Sequence, residues 1–216
     1  MAKKNKPLSV YVALDRSGSM SGERWMHAID SINEYINGLK NEKIEGTVTI
    51  IAFDCLNTVD ARNVRLVPLT EDQSIAYFEP LKHDVLQPSG MTPLFDAAAH
   101  VMDRAIENNA ARTVVVIMTD GEENASKEYT QAKIKDKVKL LESKKWEVLF
   151  LGANFDVSSY TAGSGLAQTK MRNVDFSNQM QRTAMYTDLS KSTAAYATVG
   201  AAIDLSVDAT IKMKAQ

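Results

Sequence analysis

Residues 8–20 read LSVYVALDRSGSM, an almost unbroken apolar run that ends in an acid, an arginine and two serines flanking a glycine. A segment apolar on both of its alternating faces suits a strand covered by helices on each side. The run stops at Asp15, and Asp15, Ser17 and Ser19 then follow at every second position. A plain turn would need only Gly18 and one polar neighbour. Three oxygen-bearing side chains at this spacing can instead converge on one small volume.

The same kind of run recurs along the chain. GTVTIIAFD (46–54), RTVVVIMTD (112–120) and WEVLFLG (146–152) are nearly continuous in apolar residues, and amphipathic segments separate them. Trp25, Ile29, Ile32, Ile36 and Leu39 recur at helical steps, on a helix ending near Lys40–Asn41. Ahead of LFDAAAHVMDRAIE, Thr92 is expected as helix cap and Pro93 as first helical residue. Ile134, Val138 and Leu141 mark a helix within 126–143, and Tyr186, Leu189, Tyr196, Val199 and Ile203 a last one over 178–205. VRLVPL (64–69) alternates and carries a proline, as an edge strand does, and with NTVDARN before it is expected to pair antiparallel with 46–54. MRNVDF (171–176) is a second edge candidate, and residues 70–90 are expected to wrap one end of the sheet. Alternation of strand and helix predicts a Rossmann-like α/β fold with a mostly parallel central sheet, one antiparallel edge strand and helices on both faces. No repeat or linker divides the chain, so one domain over 1–216 is expected, with 1–7 as a tail carrying Lys3, Lys4 and Lys6.

The 216 residues suffice for a core without covalent staples. A net charge of −2 and the lack of a basic stripe count against nucleic acid and anionic membrane as partners. Cys55 is the single cysteine, so no intrachain disulfide forms, and it is expected as a buried, inert thiol. No signal-peptide core or membrane-length apolar run is visible, and a cytoplasmic protein is expected.

In open parallel sheets ligands gather at the carboxyl ends of the strands. Asp15 and Asp120 both end strong strands, and the SGMTPL loop brings Thr92 to the same rim. Two carboxylates and three hydroxyls without His or Cys suit a hard divalent cation, Mg²⁺ first, with Mn²⁺ or Ca²⁺ as alternatives. The neutral hydroxyls are expected to leave such an ion short of negative charge and open to a carboxylate from outside.

Asp15-Arg16-Ser17-Gly18-Ser19, Gly90-Met91-Thr92-Pro93-Leu94 and Thr119-Asp120-Gly121 together resemble the von Willebrand factor A domain. In that family these elements form the metal-ion-dependent adhesion site. The resemblance implies Ser17 and Ser19 as direct ligands, Thr92 as a ligand directly or through water, and Asp15 and Asp120 acting often through water. LGANFDVSSYTAGSGL (151–166), followed by VDFSN, is similar to the closing third of small intracellular bacterial and phage members.

Around the site, Arg16, Met20, Met91, Glu122 and Glu123 are expected to form a partner-binding rim, although both glutamates also suit the first turn of a helix. Asp156 is expected to cap a helix and Asp54 to begin a turn, while His27, His83 and His100 lie too far apart in sequence to suggest a metal triad. The leading expectation is a non-enzymatic module that binds an Asp or Glu of a partner protein through the cation, a second copy of the chain being one candidate source. A haloacid-dehalogenase-type phosphotransferase also needs an acid at the end of its first strand. It wants a second acid two residues on, where this chain has Ser17. A conformational adaptor for an ATPase or a phage–host complex, with the C-terminal helix as moving element, is a regulated form of the first reading.

Overall fold

β1 (Leu8–Asp15) is buried along all eight residues and lies inside the sheet. Its side chains alternate between two cores, as strand geometry requires. Leu8, Val10, Val12 and Leu14 join the core under α1 (Glu23–Asn41) and the C-terminal helix, and Tyr11 and Ala13 join the core under α2 (Leu94–Asn108) and α3 (Gln131–Ser143). The computed structural model describes residues 7–56, 64–121, 123–153, 167 and 170–205.

The remaining strands are β2 (Gly46–Cys55), β3 (Val64–Ser74), β4 (Arg112–Thr119), β5 (Glu147–Ala153) and β6 (Met171–Val174). The sheet order is β3-β2-β1-β4-β5-β6, and only β3 runs antiparallel to its neighbour. From β1 the chain first builds outward through β2 and β3, then returns to the other side of β1 and builds through β4, β5 and β6. The strand order therefore reverses between β1 and β4, the position at which such sheets open a crevice at their carboxyl ends. Register pairs Leu14 with Met118, so the loops after Asp15 and Thr119 leave the sheet side by side.

α4 (Gln179–Val199) packs on α1, where Gly38 faces Ser190 and the Tyr35 and Thr193 hydroxyls are 3.0 Å apart. A Cβ on Gly38 would stand 2.3 Å from Ser190 Oγ, so the close approach of the helices depends on glycine there. Among the described residues no helix is long and apolar enough to cross a membrane.

Several boundaries differ from the sequence expectation, each for a local reason. β3 continues to Ser74 rather than ending near Leu69, since an edge strand tolerates Pro68. Its predicted antiparallel pairing with β2 is present, while the intervening NTVDARN lies outside the described residues. Asp54 does not begin a turn: it is the penultimate residue of β2, fully buried between arginines. α2 begins at Leu94, with Pro93 in the capping position and no cap from the Thr92 side chain. Its first N–H groups are taken instead by Ser126 Oγ, which accepts from Phe95 at 3.0 Å and Asp96 at 3.1 Å, and by Glu123, which accepts from Phe95 at 2.9 Å. α3 starts at Gln131 instead of near 126, capped by Thr130, because Asp96 holds the N–H groups of Lys127, Glu128 and Tyr129 in a loop. α4 stops at Gly200, whose φ of 78° is left-handed, so Ile203 is buried beyond the helix and not on it.

Candidate metal centre

Asp15 is the last residue of β1 and fully buried. Its Oδ1 accepts the Ser17 N–H at 2.7 Å and its Oδ2 accepts the Thr119 hydroxyl at 2.6 Å. Both bonds come from neutral donors, so burial dominates and pushes the carboxyl up to about 6. The first of these bonds folds the loop back over the strand end. Ser17 Oγ then comes to 3.0 Å from Ser19 Oγ, and Ser19 Oγ donates to Asp120 Oδ1 at 2.7 Å.

The second loop is clamped to the first. Gly18 N donates to Gly90 O at 3.0 Å, and Ser89 N to Arg16 O at 2.9 Å. Gly90 has φ +78°, and a Cβ there would meet Cys55 O at 2.0 Å, so this crossing requires glycine. Thr92 follows, with 2% of its surface exposed; its N–H donates to Asn124 Oδ1 at 2.9 Å and its carbonyl accepts from Asn124 N at 3.2 Å. Both bonds fix the Thr92 backbone against Asn124. A Cβ on Gly121 would lie 3.5 Å from Ser19 Oγ and 3.6 Å from Thr92 Oγ1, so both hydroxyls flank one small space.

Oxygens alone compose this donor set. Adjacent oxygens of an octahedral shell with metal–oxygen bonds near 2.1 Å stand about 3.0 Å apart. The Ser17–Ser19 separation has that value, and Ser19–Asp120 is close to it. Among the described residues no three His, Cys, Asp or Glu side chains gather as a metal site. A cation here would accordingly depend on hydroxyls beside only two acids, which fits a hard divalent ion and disfavours Zn²⁺.

The five predicted site residues come together, but the predicted rim is different. Met20 is fully buried, and Arg16 is 6% exposed with its guanidinium on Asp54, so neither offers surface to a partner. Glu123 is turned inward, where its carboxylate accepts N–H groups of Ala125, Ser126 and Phe95. Met91 is half-buried and pairs its backbone with Cys55. Glu122 and Asp156 lie outside the described residues. Cys55 is buried, while His83 pairs with Asp30 and His27 packs edge-on against Phe176, both away from the site.

Arg24 escaped the sequence reading. Arg24 is in the first turn of α1 and donates through Nη1 to Asp120 Oδ2 at 2.9 Å and to Ser19 O at 3.2 Å. The only sequence signal for it was a basic residue near the start of a helix that follows the serine loop.

The von Willebrand factor type A domain model matches residues 9–191, and the chain belongs to that family. Among solved structures, the pilus adhesin SpaC from Lactobacillus rhamnosus GG is similar at TM-score 0.67 and 12% identity, over 91% of this chain and 31% of that one. The PilB minor pilin from Streptococcus sanguinis gives 0.66 and 13%, over 92% and 64%. Proximal thread matrix protein 1 from the mussel byssus gives 0.59 and 13%, over 90% and 48%. At these identities the likeness is one of fold, and the chain spans less than two thirds of each of these proteins. No curated protein sequence matches it.

Proposed function

We propose that the chain is a non-enzymatic protein-binding domain with an intact metal-ion-dependent adhesion site. Ser17, Ser19 and Thr92 would hold Mg²⁺ by their hydroxyls, with Asp15 and Asp120 supplying the balancing charge; Mn²⁺ and Ca²⁺ suit the same oxygens. When bound, the ion supplies a Lewis-acidic position that takes an Asp or Glu carboxylate of a partner. The observation that carries this reading is the 3.0 Å approach of Ser17 Oγ to Ser19 Oγ beside Asp120. Family membership supports the interaction role. The reading extends to a single domain acting in the cytoplasm, where one buried cysteine needs no oxidising partner.

Each residue's own task follows from its contacts. Asp15 sets the loop by its bond to the Ser17 N–H, and Thr119 holds the second oxygen of Asp15. Asn124 fixes the Thr92 backbone and so places the residue at the rim. Ser17 occupies the place where a phosphotransferase of the haloacid dehalogenase type would need its second acid, which favours binding over catalysis.

Calorimetric titration of Mg²⁺ and Mn²⁺ into the wild type and a Ser17→Ala/Ser19→Ala double variant tests the proposal. One cation per chain is expected for the wild type, with affinity lowered at least about a hundredfold in the variant. Equal cation uptake by both proteins overturns it.

A further inference from the structure

Hydroxyl ligands alone do not leave the loaded site short of negative charge, because Asp15 and Asp120 formally cancel a divalent ion. Arg24 changes that balance. Its guanidinium stands on Asp120 Oδ2 at 2.9 Å, so Asp15, Asp120, Arg24 and a divalent ion would together carry one positive charge in excess. The neighbouring cluster has the same sign, since Asp54 lies between Arg16 and Arg65.

Exposure points the same way. The Asp120 side chain is 0% exposed and the Arg24 side chain 48%, so the guanidinium covers the carboxylate and forms part of the surface. Among the described residues Arg24 spends only Nη1 on the protein, on Asp120 and the Ser19 carbonyl. Its Nε and Nη2 have no protein acceptor among the described residues. A half-used guanidinium fork is thus anchored by one edge beside the serine hydroxyls, and a carboxylate is the group that matches such a fork in shape and charge.

We propose that Arg24 determines the ligand specificity of the site: it adds a positive charge beside the bound cation and donates to the same Asp or Glu carboxylate that the cation takes. The inference rests on the cation-dependent reading above. Without a cation, Arg24 serves as the counter-ion of Asp120. It therefore weakens cation binding and strengthens carboxylate binding, two opposite effects from one side chain.

The two effects are separable in the purified protein. Mn²⁺ affinity is measured by calorimetry for wild type, Arg24→Gln and Arg24→Lys. Acetate is then titrated into each Mn²⁺-loaded protein, and water proton relaxation reports displacement of Mn²⁺-bound water. Arg24→Gln is expected to bind Mn²⁺ about threefold to tenfold more tightly and acetate about fivefold more weakly. Arg24→Lys keeps the charge without the fork, so its Mn²⁺ affinity stays at the wild-type value and its acetate affinity is intermediate. Equal acetate affinity in wild type and Arg24→Gln, both loaded, overturns the assignment while leaving the cation site standing. Loss of Mn²⁺ binding in a folded Arg24→Gln also overturns it, making Arg24 a brace for Asp120. A wild type that takes up no Mn²⁺ sinks the proposed function and this inference with it.

Discussion

Asp54, the penultimate residue of β2, and Asp15, the last of β1, lie on one rim of the sheet and are equally buried at 0% exposure, yet their surroundings are opposite. Asp54 sits between two guanidiniums: Arg16 Nη2 is 3.0 Å from Oδ2, and Arg65 approaches through Nε at 2.8 Å and through Nη2 at 2.5 Å. Among the described residues Asp15 meets only neutral donors: the backbone N–H and hydroxyl of Ser17 and the Thr119 hydroxyl. One acid is neutralised within the chain and the other is not. Burial and residue type are the same, so the charge of the neighbours decides which carboxylate is an anchor and which is left for the proposed cation.

The anchor should be the more damaging one to remove. Asp54→Ala leaves the buried Arg16 guanidinium, whose Nε already lacks a partner, without its counter-charge. Breaking a buried pair from one side costs about 3–5 kcal/mol, and Asp54→Ala is expected to lose that much stability in urea unfolding with or without Mg²⁺. A loss under about 1 kcal/mol would mean that Arg16 reaches solvent, and the contrast between the two acids would fail.

Asp15→Asn has the opposite sign. The amide keeps an oxygen for one of the two donors and removes a buried charge that the protein does not neutralise. In EDTA the variant is expected to be more stable than wild type by about 1–2 kcal/mol. Mg²⁺ should then reverse the order, since saturation at about 100 times the dissociation constant adds roughly 2.7 kcal/mol to the protein that binds it. Calorimetric melting of both proteins in EDTA and in Mg²⁺ checks this. If Asp15→Asn is the less stable one in EDTA, Asp15 is an anchor like Asp54.

This contrast shows where the sequence was readable and where it was not. The strands were legible because a short, β-branched apolar run such as TVVVIM suits a doubly covered strand, and four of them alternating with amphipathic segments point to the α/β class. The gathering of Asp15, Ser17, Ser19, Thr92 and Asp120 at one rim was legible because both acids sit at strand ends, the serines keep a fixed spacing and the SGMTPL loop leads to the same rim. Charge pairing was not. Arg16 lies between two site residues and reads as rim, but it turns toward Asp54, 38 positions away. Arg24 reads as an ordinary helix residue and meets Asp120 across 96 positions. Thr92 illustrates the same limit locally: Thr-Pro is a good capping signal, yet Ser126 and Glu123 supply the cap from another loop. Pairings between distant loops depend on tertiary placement, which local pattern does not encode.

The smallest expected change in stability belongs to Gly121→Ala, which separates site from scaffold most sharply. The added Cβ would stand 3.5 Å from Ser19 Oγ and 3.6 Å from Thr92 Oγ1, ordinary contact distances that require no rearrangement. Gly121 also keeps its N–H bond to Thr119 Oγ1 at 3.1 Å, a bond the substitution leaves alone. Unfolding free energy in EDTA should therefore move by less than about 0.5 kcal/mol. The methyl nevertheless enters the space between two of the hydroxyls proposed to meet the ion, where even a displacement well below 1 Å spoils a small octahedral shell. Mn²⁺ affinity is expected to fall at least about tenfold, with a larger loss for Mg²⁺ than for the more accommodating Ca²⁺. If Gly121→Ala binds Mn²⁺ like wild type, the ion does not sit between Ser19 and Thr92. The neutral surroundings of Asp15 would then need another explanation.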